Sequence, residues 1–165
     1  MALKGDRRIV NDKVDCFLNE AATEGVIATY STYGSGVAMD NTKQLVTIAA
    51  DPSGQKVAGV LVGNVVSIDV TREFLNTQKN EVPVGSKVHL VTDGFLVTDD
   101  IEAGTIIAGG AAYVGHSGLF ATAAAIAGYG ALVTEDANAT VFPMVGRFVT
   151  TKDQGGFAKV EIDIN

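Results

Sequence analysis

The stretch from Val84 to Ile164 constrains this chain most, because short runs of β-type residues alternate there with glycine turns and carry few reactive side chains. The last run, Phe157-Ala158-Lys159-Val160-Glu161-Ile162-Asp163-Ile164, is apolar at every even position and charged at the odd positions after Phe157. A period of two places one face of a strand on a core and the other in water. Upstream, Lys87–Val91, Gly94–Thr98, Thr105–Ala108 and Ala112–Val114 are further short runs, punctuated by Asp93-Gly94, Gly109-Gly110 and Ser117-Gly118. Repeated short strands with turn signals predict a β-barrel or β-sandwich of antiparallel strands.

The earlier residues extend this pattern. Val26–Tyr30, Lys43–Ala50, Val57–Val62 and Val65–Thr71 read as strands, with turns at Gly34-Ser35-Gly36 and at Asp51-Pro52-Ser53-Gly54, and Arg72–Asn80 as a polar loop. Val10–Gly25 reads differently. Val14, Phe17, Leu18 and Ala21 fall at i, i+3, i+4 and i+7, which predicts one short N-terminal helix capped by Asn11 or Asp12, with Asp15 at its positive end and Gly25 as its stop. Ala121–Ala131 suits a helical turn or a loop. The expected organisation is an extended N-terminal arm over residues 1–12 and one β-rich domain over 13–165; at this length roughly 70% of the unfolded surface is buried on folding.

Charge and cysteine content exclude several classes. Twelve basic residues against nineteen acidic give a net charge of −7, which disfavours a phosphate backbone as partner, so no nucleic-acid binding is expected. Residues 1–13 alone lean mildly basic, with Lys4, Arg7, Arg8 and Lys13 against Asp6 and Asp12. Cys16 is the only cysteine, so the chain can form neither an internal disulfide nor a thiolate metal cluster by itself. The first residues lack the apolar core of a secretory signal, and no run approaches the roughly 20 apolar residues of a membrane span.

No residue set defines a reaction. Gly115-His116-Ser117-Gly118-Leu119 has leucine where a nucleophile elbow needs its second glycine, and reads as a turn. His89 and His116 lie far apart in sequence and belong to no metal-binding spacing. Asp99, Asp100 and Glu102 are the densest acidic cluster but lack the alternation of a calcium loop. Gly34-Ser35-Gly36 and Gly109-Gly110 lack the lysine of a phosphate cradle and read as hairpin turns. Asn138-Ala139-Thr140 matches a glycosylation triplet, which needs a secretory route to be used. No catalytic residue, cofactor or metal is therefore expected, and the chain reads as a non-enzymatic scaffold.

Val14-Asp15-Cys16-Phe17-Leu18-Asn19-Glu20-Ala21-Ala22 followed by Gly25-Val26-Ile27, then Val145-Gly146-Arg147-Phe148, and Lys152-Asp153-Gln154-Gly155-Gly156-Phe157 running on to Ile162, resemble the head decoration, or capsid cement, proteins of tailed bacteriophages. The resemblance continues through Gly59-Val60-Leu61, Asp69-Val70-Thr71-Arg72 and Glu81–Val88, and so covers nearly the whole chain. It implies a virion protein made in the host bacterial cytoplasm, added to the outer capsid surface after shell expansion, with the major capsid protein as partner and a homo-oligomer, trimer ahead of dimer, as its working form. The family brings no catalytic residues. Lys4, Arg7, Arg8, Ile9 and Val10 of the arm are the capsid-contact candidates, offering cations for acidic patches or an added strand. Three other readings compete. One is a tail-tube or tail-sheath protein, another a small hydrolase or metal enzyme built on Asp99–Glu102 with His89 or His116. The third is a carbohydrate-binding module stacking sugars on Tyr30, Tyr33, Tyr113 or Tyr129.

Overall fold

The computed structural model of the chain describes residues 9–31, 45–64, 81–128 and 142–164. Eleven strands lie within them: β1 Ile9–Leu18, β2 Ala22–Thr23, β3 Ile27–Tyr30, β4 Leu45–Thr47, β5 Val57–Asn64, β6 Glu81–Val82, β7 Lys87–Thr98, β8 Ala111–Val114, β9 Phe120–Ala121, β10 Met144–Phe148 and β11 Ala158–Asp163. A single 3-10 turn, His116–Gly118, and one short helix, α1 Ala123–Gly128, complete the described elements. The all-β expectation holds.

Of the two architectures expected, the barrel is the one formed. The strands run in the order β1-β4-β3-β5-β7, and β1 pairs back onto β7 to close a five-stranded ring. The β1–β4 contact is parallel, through Phe17 and Leu18 against Leu45 and Val46, and the other ring contacts are antiparallel. From β7 the sheet continues outward as β11-β10-β8-β9. β7 serves both parts: Val88–Val91 pairs with β5 and Asp93–Thr98 with β11.

Two apolar clusters follow from this sharing. Cys16, Leu18, Val26, Ala28, Val46, Ala58, Leu61, Val82, Val88 and Leu90 fill the barrel. Ile27 and Val60, opposite each other on β3 and β5, instead join Leu96, Phe120, Val145, Phe148, Val160 and Ile162 in the layer under the second sheet. A bulge makes the switch: the β3–β5 register shifts between Ala28 and Thr29, so Ala58 and Leu61 both reach the barrel interior while Val60 does not. Gly59, at φ +150°, is required there, since a Cβ would lie 2.8 Å from Leu90 Cβ and 2.9 Å from the Val91 carbonyl.

The predicted N-terminal helix is not formed; Ile9–Leu18 is strand β1. The helical spacing of Val14, Phe17, Leu18 and Ala21 coexists with a period of two, in which Val14, Cys16 and Leu18 face the core and Asp15 faces outward. Pairing with β7 along most of its length decides in favour of the strand, because a lone amphipathic helix of this length gains little on its own. Ile9–Asp12, assigned to the arm, are the first residues of that strand. Three further expectations are corrected. Asp93-Gly94 is no turn: β7 runs through it, with Gly94 buried and paired to Ile162 on one side and Val10 on the other. Thr105–Ala108 is not a strand, since only Ile106 is buried and its neighbours are exposed. Gly109-Gly110 is a turn, closed by the Gly110 N–H donating to the Ile107 carbonyl at 3.0 Å, but it leads into β8 rather than joining two paired strands. Ala121–Ala131 resolves as α1 over Ala123–Gly128. Val65–Thr71, Arg72–Asn80 and Gly34-Ser35-Gly36 lie outside the described residues.

Candidate functional surface

Of the capsid-contact candidates, Lys4, Arg7 and Arg8 lie outside the described residues. Ile9 and Val10 open β1, where their backbones pair with Phe95 and Gly94 at the point where β7 passes from barrel to second sheet. The outer face of that sheet can be built row by row. Phe95, Glu161, Arg147 and Ala111 are successive partners across β7, β11, β10 and β8, and Val97 and Lys159 form the next row. The Arg147 guanidinium pairs with Glu161, which raises its pKa through that hydrogen bond and the carboxylate charge. Lys159 Nζ stands 4.7 Å from the centre of the Phe95 ring, a cation–π contact. This face is thus mixed, with charges neutralised locally over partly covered apolar side chains.

The β10–β11 hairpin that carries this face is held by one carboxylate. Asp153 Oδ1 accepts the Gly155 N–H at 2.8 Å and the Phe157 N–H at 2.9 Å, while the Asp153 N–H donates to the Phe157 carbonyl at 2.8 Å. Aspartate suits a turn for this reason. Asp153→Ala is expected to lower stability by about 1–2 kcal/mol, from the two lost acceptor contacts; equilibrium urea unfolding measures it, and an unchanged midpoint would contradict the loop geometry.

The histidines are structural. His89 sits on the barrel wall, its Nδ1 2.6 Å from Asp15 Oδ1, and Lys87 Nζ lies 3.2 Å from the other oxygen of the same carboxylate. These three groups join β1 to β7 across register partners Asp15 and His89. His116 belongs to the 3-10 turn: its ring Nδ1 lies 2.8 Å from the Ala50 carbonyl, so that nitrogen carries the hydrogen and donates it. Its ring meets Phe142 edge to face at 5.7 Å. Ser117 takes φ +55°, ψ +30°, a turn conformation, in keeping with the reading of Gly115–Leu119 as a turn.

Among the described residues no group of three or more His, Cys, Asp and Glu side chains is placed to hold a metal ion. The Glu102 side chain is buried and accepts the His116 N–H at 2.7 Å. Asp51, at the β4–β5 turn, is held below its ordinary pKa by the backbone N–H and then the hydroxyl of Ser53. Tyr30 is 38% exposed, whereas Tyr113 packs against Ala121, Ile126 and Phe142. Tyr33, Tyr129 and Asn138 lie outside the described residues. No helix among the described residues is long and apolar enough to cross a membrane.

Sequence reasoning missed two features. Glu20 reaches back from the end of β1 to accept the Thr47 hydroxyl and the Ile48 N–H, the latter at 2.6 Å, so it fixes β4 on the barrel. The Asp15–His89 pair joins residues 74 positions apart. Neither has a local signal; only the pairing of β1 with β7 and β4 brings the partners together.

No family model matches this chain, and no curated protein matches it. Among solved structures, the crystal structure of the head fiber gp8.5 N base in bacteriophage phi29 is similar to it, with a TM-score of 0.49 and 12% sequence identity over 96% of each chain. A likeness that distant carries no argument about function.

Proposed function

We propose that this chain is a structural protein of a tailed-phage virion, which binds the outer surface of the head and stabilises the expanded shell by bridging neighbouring capsid subunits. The observation that carries this reading is the resemblance to head decoration proteins, which covers nearly the whole chain and opens on two segments, one from Val14 to Ile27 and one from Val145 to Ile162. In the structure the first of these forms β1 to β3 and the second the β10–β11 hairpin, on opposite sides of the shared strand β7. Its working form is a homo-oligomer, with a trimer favoured, and its partner is the major capsid protein. It acts without catalysis, through the shape and charge of its exterior.

The physical logic is additive. Packaged DNA presses outward on a capsid, and a rigid clamp across each seam adds buried area where the shell would open; many copies multiply a modest contact. A closed barrel also leaves fewer unpaired strand edges, which suits a protein present in many copies. Particles lacking the protein are expected to release DNA at lower temperature, or after milder osmotic shock, than particles carrying it, and the purified chain is expected to bind expanded but not unexpanded empty heads. Equal DNA retention with and without the protein would remove the stabilising role.

A further inference from the structure

The segment Asp99–Glu102 straps the open side of β9. The Phe120 N–H donates to the Asp100 carbonyl at 2.9 Å, the Glu102 N–H donates to the Phe120 carbonyl at 2.8 Å, and Ile101 bridges Phe120 in parallel. At its start the Asp100 N–H donates to Thr98 Oγ1 at 3.0 Å. At its end Glu102 receives the His116 N–H, and Lys152 Nζ from the β10–β11 hairpin reaches the Glu102 carbonyl at 3.4 Å. One short segment thereby ties the end of β7, β9, the His116 turn and the hairpin together.

Within this strap one group is out of balance. Asp100 Oδ2 is buried and has no hydrogen-bond partner, although the residue's own backbone N–H and carbonyl are both hydrogen-bonded. A buried carboxyl oxygen without a donor costs far more when the group is ionised than when it is protonated. The charged and titratable groups around the strap are Asp99 beside it, Glu102 within it, His116 on the 3-10 turn and Lys152 on the hairpin; none of them is a hydrogen-bond partner of that oxygen.

We propose that Asp100 makes the strap a proton-sensitive clasp, shut on β9 in mild acid and loosened as the carboxyl ionises. Burial raises the Asp100 pKa from 3.8 to about 6, and the Asp99 carboxylate adds to the rise. Because the folded value lies above the unfolded one, the folded chain holds the extra proton between about 4 and about 6. The strap's contribution is present in full below that window and falls as pH rises through it.

Amide hydrogen exchange on the intact chain at pH 5 and pH 7.5, expressed as protection factors, tests the clasp. Protection of the Phe120 and Glu102 amides is expected to drop about fivefold at the higher pH, allowing for solvent screening of a partly buried group, while the Leu90 amide in the barrel changes little. Asp100→Asn, which keeps the shape but cannot ionise, should hold both strap amides at one protection level across the range. His116→Gln keeps the wild-type response if Asp100 is the titrating group. Protection independent of pH in the wild type overturns the proposal by itself, whether or not either variant folds. A pH response that survives in Asp100→Asn, or that disappears in His116→Gln, overturns it as well.

Discussion

Gly146→Ala is expected to destabilise the chain by about 3–5 kcal/mol, enough to remove a large share of the stability of a domain this size. Gly146 sits inside β10 at φ +153°, in a backbone region open essentially to glycine alone. A Cβ there would collide with the Glu161 carbonyl oxygen and lie 2.9 Å from its carbon and 3.2 Å from Ile162 Cα, all backbone atoms of the paired strand β11. Backbone cannot swing aside as a flexible side chain can, so β10 and β11 must separate, and they carry Phe148, Val160 and Ile162 of the core beneath the second sheet. Gly54→Ala supplies the comparison. Gly54 also has positive φ, +69°, but nothing stands within 4 Å of its added Cβ, so only the left-handed backbone penalty of about 1–2 kcal/mol applies. Urea unfolding of both variants separates collision from backbone strain, and equal losses would mean that β10 and β11 do not approach as described.

The legible part of this fold is the part whose pairing is local. Ala158–Asp163 alternates buried and outward residues as its sequence pattern predicts, because a hairpin strand one short loop from its partner needs only the period of two and a turn. Val26–Tyr30 and Val57–Val62 are likewise placed within a residue or two of β3 and β5. β1 was illegible for the opposite reason. Its two periodicities overlap at Val14 and Leu18, and its partners Leu90, His89 and Val88 lie more than 70 residues away in β7, so nothing nearby in sequence separates strand from helix. Gly94 shows the same limit in reverse: Asp-Gly is a strong hairpin signal, yet strands on both sides of β7 hold it extended. The candidate surface was legible in its composition, through the outward charges Lys159 and Glu161, but not in its partners. That Glu161 meets Arg147 and that Lys159 covers Phe95 depends on the order β7-β11-β10, a tertiary fact.

Gly118→Ala is expected to have the second large effect, at the joint between barrel and second sheet. The 3-10 turn His116–Gly118 presses against the barrel's β3 and the end of β4: Gly118 has φ +74°, and a Cβ would lie 2.6 Å from the Ile27 carbonyl and 2.9 Å from Ile48 Cγ2. The same turn donates from His116 Nδ1 to the Ala50 carbonyl. Ile27 faces the second sheet's core with Phe120 and Phe148, so lifting the turn off the barrel opens that core along one side. A loss of about 3 kcal/mol follows from combined strain and overpacking, which for a chain of this length lowers Tm by roughly 6–12 °C. Because Ile27 and Val60 of the barrel belong to the same apolar cluster as Val160 and Ile162, calorimetry of the unaltered chain should show one transition, shifted down as a whole by the substitution. Two separate wild-type transitions, or a variant that melts at the wild-type temperature, would show that the turn does not couple the halves. A single shifted transition means that barrel and second sheet unfold as one cooperative unit, joined through the turn at Gly118.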